Sequence, residues 1–133
     1  MSTKMNEHDI IERLLQAGDP PQKTVEIPRL GVAVTLKALT AKEIYRLREE
    51  YTHRKEKRGQ VIETFDEEGF HTGLVVAATV TPNWGDQRLM THFQASEPAE
   101  VVKRVLLAGE LAQLADVVLD LSGYNTDLRE VKN

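Results

Sequence analysis

Lys23-Thr-Val-Glu-Ile-Pro-Arg-Leu-Gly-Val-Ala-Val-Thr-Leu-Lys37 is the stretch that decides the fold class of this 133-residue chain. Val25 and Ile27 alternate with Thr24 and Glu26. After Gly31, Val32, Val34 and Leu36 alternate again, with Thr35 and Lys37 opposite. Period two in both halves predicts a half-exposed hairpin turning near Leu30-Gly31. Pro28 cannot donate to a ladder, so its strand is expected at an edge. A lone hairpin is marginal in water, so this one must lie on helices or pair with another chain.

Outward from the hairpin the pattern is helical. Thr40-Ala-Lys-Glu43 is a capping box, in which hydroxyl and carboxylate satisfy each other's backbone amides. The helix it opens carries Ile44, Leu47 and Tyr51 on one face and is expected to end in the charged stretch Arg54 to Gly59. A loop is expected next, although Val61, Ile62 and Phe65 are apolar for one. From Asp66-Glu67-Glu68, acidic residues suited to a helix dipole, a dense helix through Leu74 to Ala78 should be the most buried. Thr81-Pro82-Asn83-Trp84-Gly85 breaks it, and Asp86 should cap a short helix bearing Leu89, Met90 and Phe93. Pro98 suits the first turn of another, with the stripe Val101, Val102, Val105 and Leu106. Beyond a break at Leu107 to Glu110, a last helix carries Leu111, Leu114, Val118 and Leu121, with Gly123 as its C′ residue. On the other side of the hairpin, Ile10 to Ala17 reads as a short amphipathic helix with Asp9 as N-cap, stopped by Gly18-Asp19-Pro20-Pro21.

These elements predict an α+β fold, mainly α, with an N-terminal β-hairpin packed on a bundle of about five short helices. The expected organisation is a helix and Pro-rich linker at 1–22, one domain at 23–123, and a polar, disordered tail at 124–133. With aromatics at only 5% of the chain, the core has to be aliphatic.

Composition removes several kinds of chemistry. Without cysteine there are no disulfides, thiol nucleophiles or zinc–thiolate sites. No apolar run approaches the ~18 residues that span a bilayer, and Met1 to Asp9 lacks the apolar core of a secretion signal, so an intracellular protein with no membrane partner is expected. His8, His53, His71 and His92 are scattered without i, i+4 pairing, so no metal site is expected, and the isolated glycines form no phosphate cradle. Neither a cofactor nor a catalytic group is expected.

Candidate contact residues remain. The formal charge is −4, yet Lys42 to Arg58 holds seven basic side chains against four acidic ones. Arg46 and Arg54 belong to this stretch, which reads first as a solvated helix end, with Glu50–Arg54 as an i, i+4 pair. Protein docking comes second and nucleic-acid contact a distant third, given the net acidity. Trp84, the single tryptophan, lies in the breaker segment and reads either as a core anchor or as an interface residue. Leu89, Phe93 and Tyr124 complete the partner-binding set.

Read in order, Lys23 to Gly31, Val34-Thr-Leu-Lys-Ala-Leu-Thr-Ala-Lys-Glu43, Ala78-Thr-Val-Thr-Pro-Asn-Trp-Gly-Asp-Gln-Arg-Leu89, Leu106-Leu-Ala-Gly-Glu-Leu111 and Leu121-Ser-Gly-Tyr124 resemble the tail assembly chaperones of Gram-positive phages and prophages, the XkdN-like family. Trp84 and Tyr124 stand where that family is expected to carry Phe. The resemblance implies a protein that coats the tape measure protein and contacts the major tail tube protein in the host bacterial cytoplasm. It also implies self-association, absence from the virion and, for many members, a longer form made by ribosomal frameshifting. Val131-Lys132-Asn133 would suit such a slip. A head–tail connector or tail terminator is the alternative.

Overall fold

In the computed structural model, which describes residues 5–131, the quoted stretch forms two antiparallel strands, β1 (Gln22–Ile27) and β2 (Val32–Lys37). Val25 faces Val34 and Ile27 faces Val32 across the ladder, so one face is aliphatic. Ile27, Val34 and Leu36 are buried there, while on the other face the Thr24 and Thr35 hydroxyls lie 2.8 Å apart. The turn closes on Gly31, whose φ of +64° suits glycine. β1 is one edge of its sheet, and Pro28 falls just beyond the strand, in the turn. A third strand, β5 (Thr79–Thr81), pairs with β2 at Thr35 and Leu36 and was not expected; three residues are too few to show a period.

Helix α2 (Ala41–Glu50) opens on the capping box, with the Glu43 amide 3.3 Å from Thr40 Oγ1 and the Thr40 amide 3.1 Å from Glu43 Oε1. Helix α3 (Glu67–Ala78) is capped by Asp66 and is the most buried helix, packing on α2 and β2 and on the last two helices, α5 (Pro98–Val105) and α6 (Ala108–Leu121). Between them α4 (Gln87–His92) is capped by Asp86. The core is aliphatic, built from Leu36, Ile44, Leu74, Val75, Val101, Val102, Leu114 and Val118, with Phe70 and Trp84 at its margins. Close approach between α2 and α3 is set by glycine: a Cβ on Gly73 would lie 2.7 Å from Tyr51 Cε2.

The fold is α+β, mainly α, with the hairpin on five helices and a sixth apart from them, α1 (Glu7–Leu15). α1 begins earlier than expected, because Asn6 and not Asp9 caps it, through a 2.8 Å bond from the Asp9 amide to Asn6 Oδ1. None of its residues is buried.

The largest correction lies between Tyr51 and Phe65. The helix stops at Glu50, and the supposed helix end and loop form a second hairpin, β3 (Thr52–Lys57) and β4 (Gln60–Phe65). Its turn is Arg58-Gly59, both at positive φ (54° and 77°), as a two-residue type I′ hairpin requires. Register is continuous from Thr52–Phe65 to Lys57–Gln60. Arg54 pairs with Glu49 and Glu63 and not with Glu50, because the chain leaves the helix before a helical i, i+4 pair can form.

At the other end, Gly123 (φ +94°) closes α6, and the Tyr124 amide bonds to Leu119 O at 3.2 Å. From Asn125 to Val131 the chain has no regular element. Lys132-Asn133, in the stretch suited to frameshifting, and Met1 to Lys4 lie outside the described residues.

Candidate partner-binding surfaces

The six candidate residues do not form one surface. Trp84 is 6% exposed; its indole Nε1 donates to Thr79 Oγ1 at 3.1 Å, and that hydroxyl donates to the Val75 carbonyl. The breaker segment is thereby fastened to the end of α3, and Trp84 presents no face to solvent. Leu89 and Phe93 are half-buried, packing α4 onto the core. The Phe93 carbonyl accepts from the Arg104 guanidinium, which ties α4 to α5. Arg54 is held by two carboxylates, with Nη1 2.6 Å from Glu49 Oε1 and Nε 2.9 Å from Glu63 Oε1. Those hydrogen bonds raise the Arg54 pKa further and lower that of Glu49. All three side chains are well exposed, so the network orients the base of the second hairpin and adds little stability.

Tyr124 belongs to a different region. With Tyr45 on α2 it lines a shallow groove of about 270 Å³ that Leu39, Ala41 and Ile44 also line, whereas Arg46, exposed on α2, is not among the lining residues. The groove is made where the end of α6 meets the start of α2. Ser122 Oγ accepts from the Leu39 amide at 2.9 Å while donating to the Val118 carbonyl at 2.7 Å. Arg48 Nη2 stands 3.5 Å from the Tyr124 hydroxyl, and its guanidinium carbon is 5.7 Å from the centre of the Phe70 ring. Both tyrosines remain more than half-exposed or close to it, at 62% and 50%. Sequence reasoning missed Tyr45, since its exposed position on an amphipathic helix carries no signal until α6 is seen to end beside it.

Another contact was invisible to local pattern. Arg29, in the first hairpin's turn, makes a bidentate pair with Glu110 (Nε–Oε2 3.0 Å, Nη2–Oε1 2.8 Å) and reaches the Val105 carbonyl at 2.9 Å. Glu110 also accepts from the Leu107 amide at 2.8 Å. Its pKa is lowered, first by the Arg29 hydrogen bond and then by the Leu107 amide. This clamp fixes the hairpin turn to the α5–α6 corner.

Among the described residues no three His, Asp or Glu side chains gather to hold a metal ion, and no helix is long and apolar enough to cross a membrane. The four histidines lie on α1, β3, α3 and α4. Every buried side-chain polar atom among the described residues has a partner. The surface carries a groove between Tyr45 and Tyr124, an amphipathic helix with no buried residue, and a hairpin whose residues are nearly all exposed.

The profile of the phage XkdN-like tail assembly chaperone family matches residues 11–133, and the chain belongs to that family. The chain is 25% identical over 128 residues to the XkdN protein of the phage-like element PBSX of Bacillus subtilis (strain 168), covering 84% of this chain and 86% of the relative. It is 30% identical over 103 residues to the uncharacterized protein YqbN of the same organism, covering 76% of this chain and 69% of the relative. The crystal structure of YqbN superimposes with a TM-score of 0.61 at 24% identity, covering 83% of this chain and 91% of the other, and shares its fold.

Proposed function

We propose that this tail assembly chaperone binds and coats the tape measure protein during tail morphogenesis in the host cytoplasm, contacts the tail tube protein, and is absent from the finished particle. Family membership supports this reading, and the Tyr45–Tyr124 groove is the observation that carries it to particular residues. A rod-like helical partner presents apolar side chains at i, i+3, i+4 and i+7, and a shallow groove with aromatic walls accepts one such anchor. Tyrosine suits this work because it offers a broad apolar face at little entropic cost while its hydroxyl stays wet. Arg48 on α2, beside Tyr124, adds donors for carboxylates on the polar face of the rod.

Each copy needs to hold only weakly. Many copies along one rod gain avidity, and a weak single contact lets the tube subunit displace them in turn. No bond-making step enters this task, so the reading is of a binder and not an enzyme.

The test is co-expression with the tape measure protein of the same tail gene set. The complex is expected to co-elute and to keep the rod soluble. Tyr45→Ala/Tyr124→Ala is expected to lose about 1–2 kcal/mol per site in binding, amplified over many copies, with little change in fold stability. Separate elution, with the rod precipitating as it does alone, would refute the proposal.

A further inference from the structure

Helix α1 is amphipathic, and among the described residues it buries no side chain and adds none to the core. Ile10, Ile11, Leu14 and Leu15 fall within one arc of the helix and are 45%, 48%, 67% and 75% exposed. Nine residues are too few for a stable helix in water, where isolated helices below ~12–15 residues are marginal. This helix therefore needs a cover. It is strung on Gln16 to Pro21, and the chain joins the domain where the Ala38 amide donates to the Pro21 carbonyl at 2.8 Å.

The β3–β4 hairpin has the reciprocal deficiency. Among the described residues it is two-stranded, with no third strand and no buried residue, a state that is marginal alone. Lys55 lies directly across from Ile62, so they share a face, which period two extends to His53, Lys57 and Thr64. Arg54 and Glu63 are on the opposite face and neutralise each other. Lys55 and Lys57 form no ion pair among the described residues.

The charges are complementary. α1 carries Glu7, Asp9 and Glu12 against the single cation Arg13, whereas the Lys55–Ile62 face of the hairpin carries Lys55 and Lys57 and no acidic side chain. Two α1 helices facing each other would set acid against acid, so a second α1 is a poor cover. Within the chain both surfaces stay exposed, so neither covers the other.

We propose that α1 of one copy docks on the Lys55–Ile62 face of the β3–β4 hairpin of a second copy, with its aliphatic arc on Ile62 and its carboxylates beside Lys55 and Lys57. The contact joins two unlike surfaces, so it closes between two copies that exchange arms or runs head to tail through more of them. No residue of α1 or of the second hairpin lines the Tyr45–Tyr124 groove.

The cysteine-free chain makes the test direct. Ile11→Cys is placed in one tagged preparation and Ile62→Cys in another, both at exposed positions where folding should be indifferent. After mixing and mild oxidation, the mixed disulfide is expected to dominate, and sedimentation of the parent chain should show a dimer or larger. Lys55→Glu/Lys57→Glu is expected to weaken association about tenfold or more, and mixing with Glu7→Lys/Glu12→Lys chains should restore it. A monomer at all concentrations overturns the proposal. So does cross-linking of Ile11→Cys chains only to one another, or an intrachain bridge in the doubly substituted chain at high dilution. A chain that co-elutes with the tape measure protein but gives no mixed disulfide overturns this contact alone and leaves the functional reading intact.

Discussion

The first hairpin sets Val25, Ile27, Val34 and Leu36 on one face and buries three of them, whereas the second leaves Val61, Ile62 and Phe65 exposed. Both have continuous antiparallel register and a turn using positive φ. They differ in what surrounds them. β2 gains a third strand and the faces of α3 and α6, and Arg29 clamps its turn to Glu110. The second hairpin is attached only at its base, where Phe65 packs 5.3 Å from Phe70 and Arg54 reaches Glu49. Similar local grammar thus serves two ends: one hairpin completes the core, and the other is held out from it.

The contrast should appear first in stability. Leu36→Ala is expected to cost about 2–5 kcal/mol by denaturant unfolding, since it empties a fully buried site, while Ile62→Ala should stay within about 0.5 kcal/mol. Comparable losses at both positions would erase the distinction. Next comes the helix contact beneath the second hairpin. Gly73→Ala drives a Cβ to 2.7 Å from the Tyr51 ring, an overpacking of about 1–3 kcal/mol, offset in part by the better helix propensity of alanine. In a Tyr51→Leu background the loss should shrink, and a double-mutant cycle reads the coupling.

Smaller effects separate local from global opening. Gly59→Ala forces a side chain into φ +77° and is expected to cost about 1 kcal/mol, confined to the second hairpin. Its amides should exchange faster with no shift in the global midpoint. The smallest effect is pH-dependent. Glu110 has a folded pKa below its unfolded value, so the clamp's contribution is present above the ordinary carboxylate range and is lost as pH falls through the lowered value. Glu110→Gln should flatten that acid limb and leave the behaviour at neutral pH nearly unchanged apart from the lost ion pair. A steeper limb in the variant would contradict the assignment.

Much of this was legible in the sequence, for physical reasons that can be named. The first hairpin, the Thr40 and Asp86 caps, Pro98 and Gly123 are local signals, and local interactions decide them. Where reading failed, the deciding contact was distant or the pattern was masked. In β3 every residue from His53 to Lys57 is polar, so there is no apolar alternation to see, and Val61-Ile62 in β4 puts two aliphatics side by side. Gly59 is compatible with a hairpin turn, but the charged run from Arg54 fits a helix end equally well. Trp84 left two readings open until its bond to Thr79 placed it inside the core. Tyr45 depended on the end of α6, more than seventy residues away in the chain.

The central claim is that a rigid core presents its groove to a helical partner. Hydrogen exchange of the full chain, with and without a tape measure segment from the same tail gene set, tests it most directly. Protection is expected to rise across Ile44 to Tyr51 and Leu119 to Asn125, with β1 and β2 unchanged. Unchanged exchange throughout, or protection confined to the first hairpin, would contradict it.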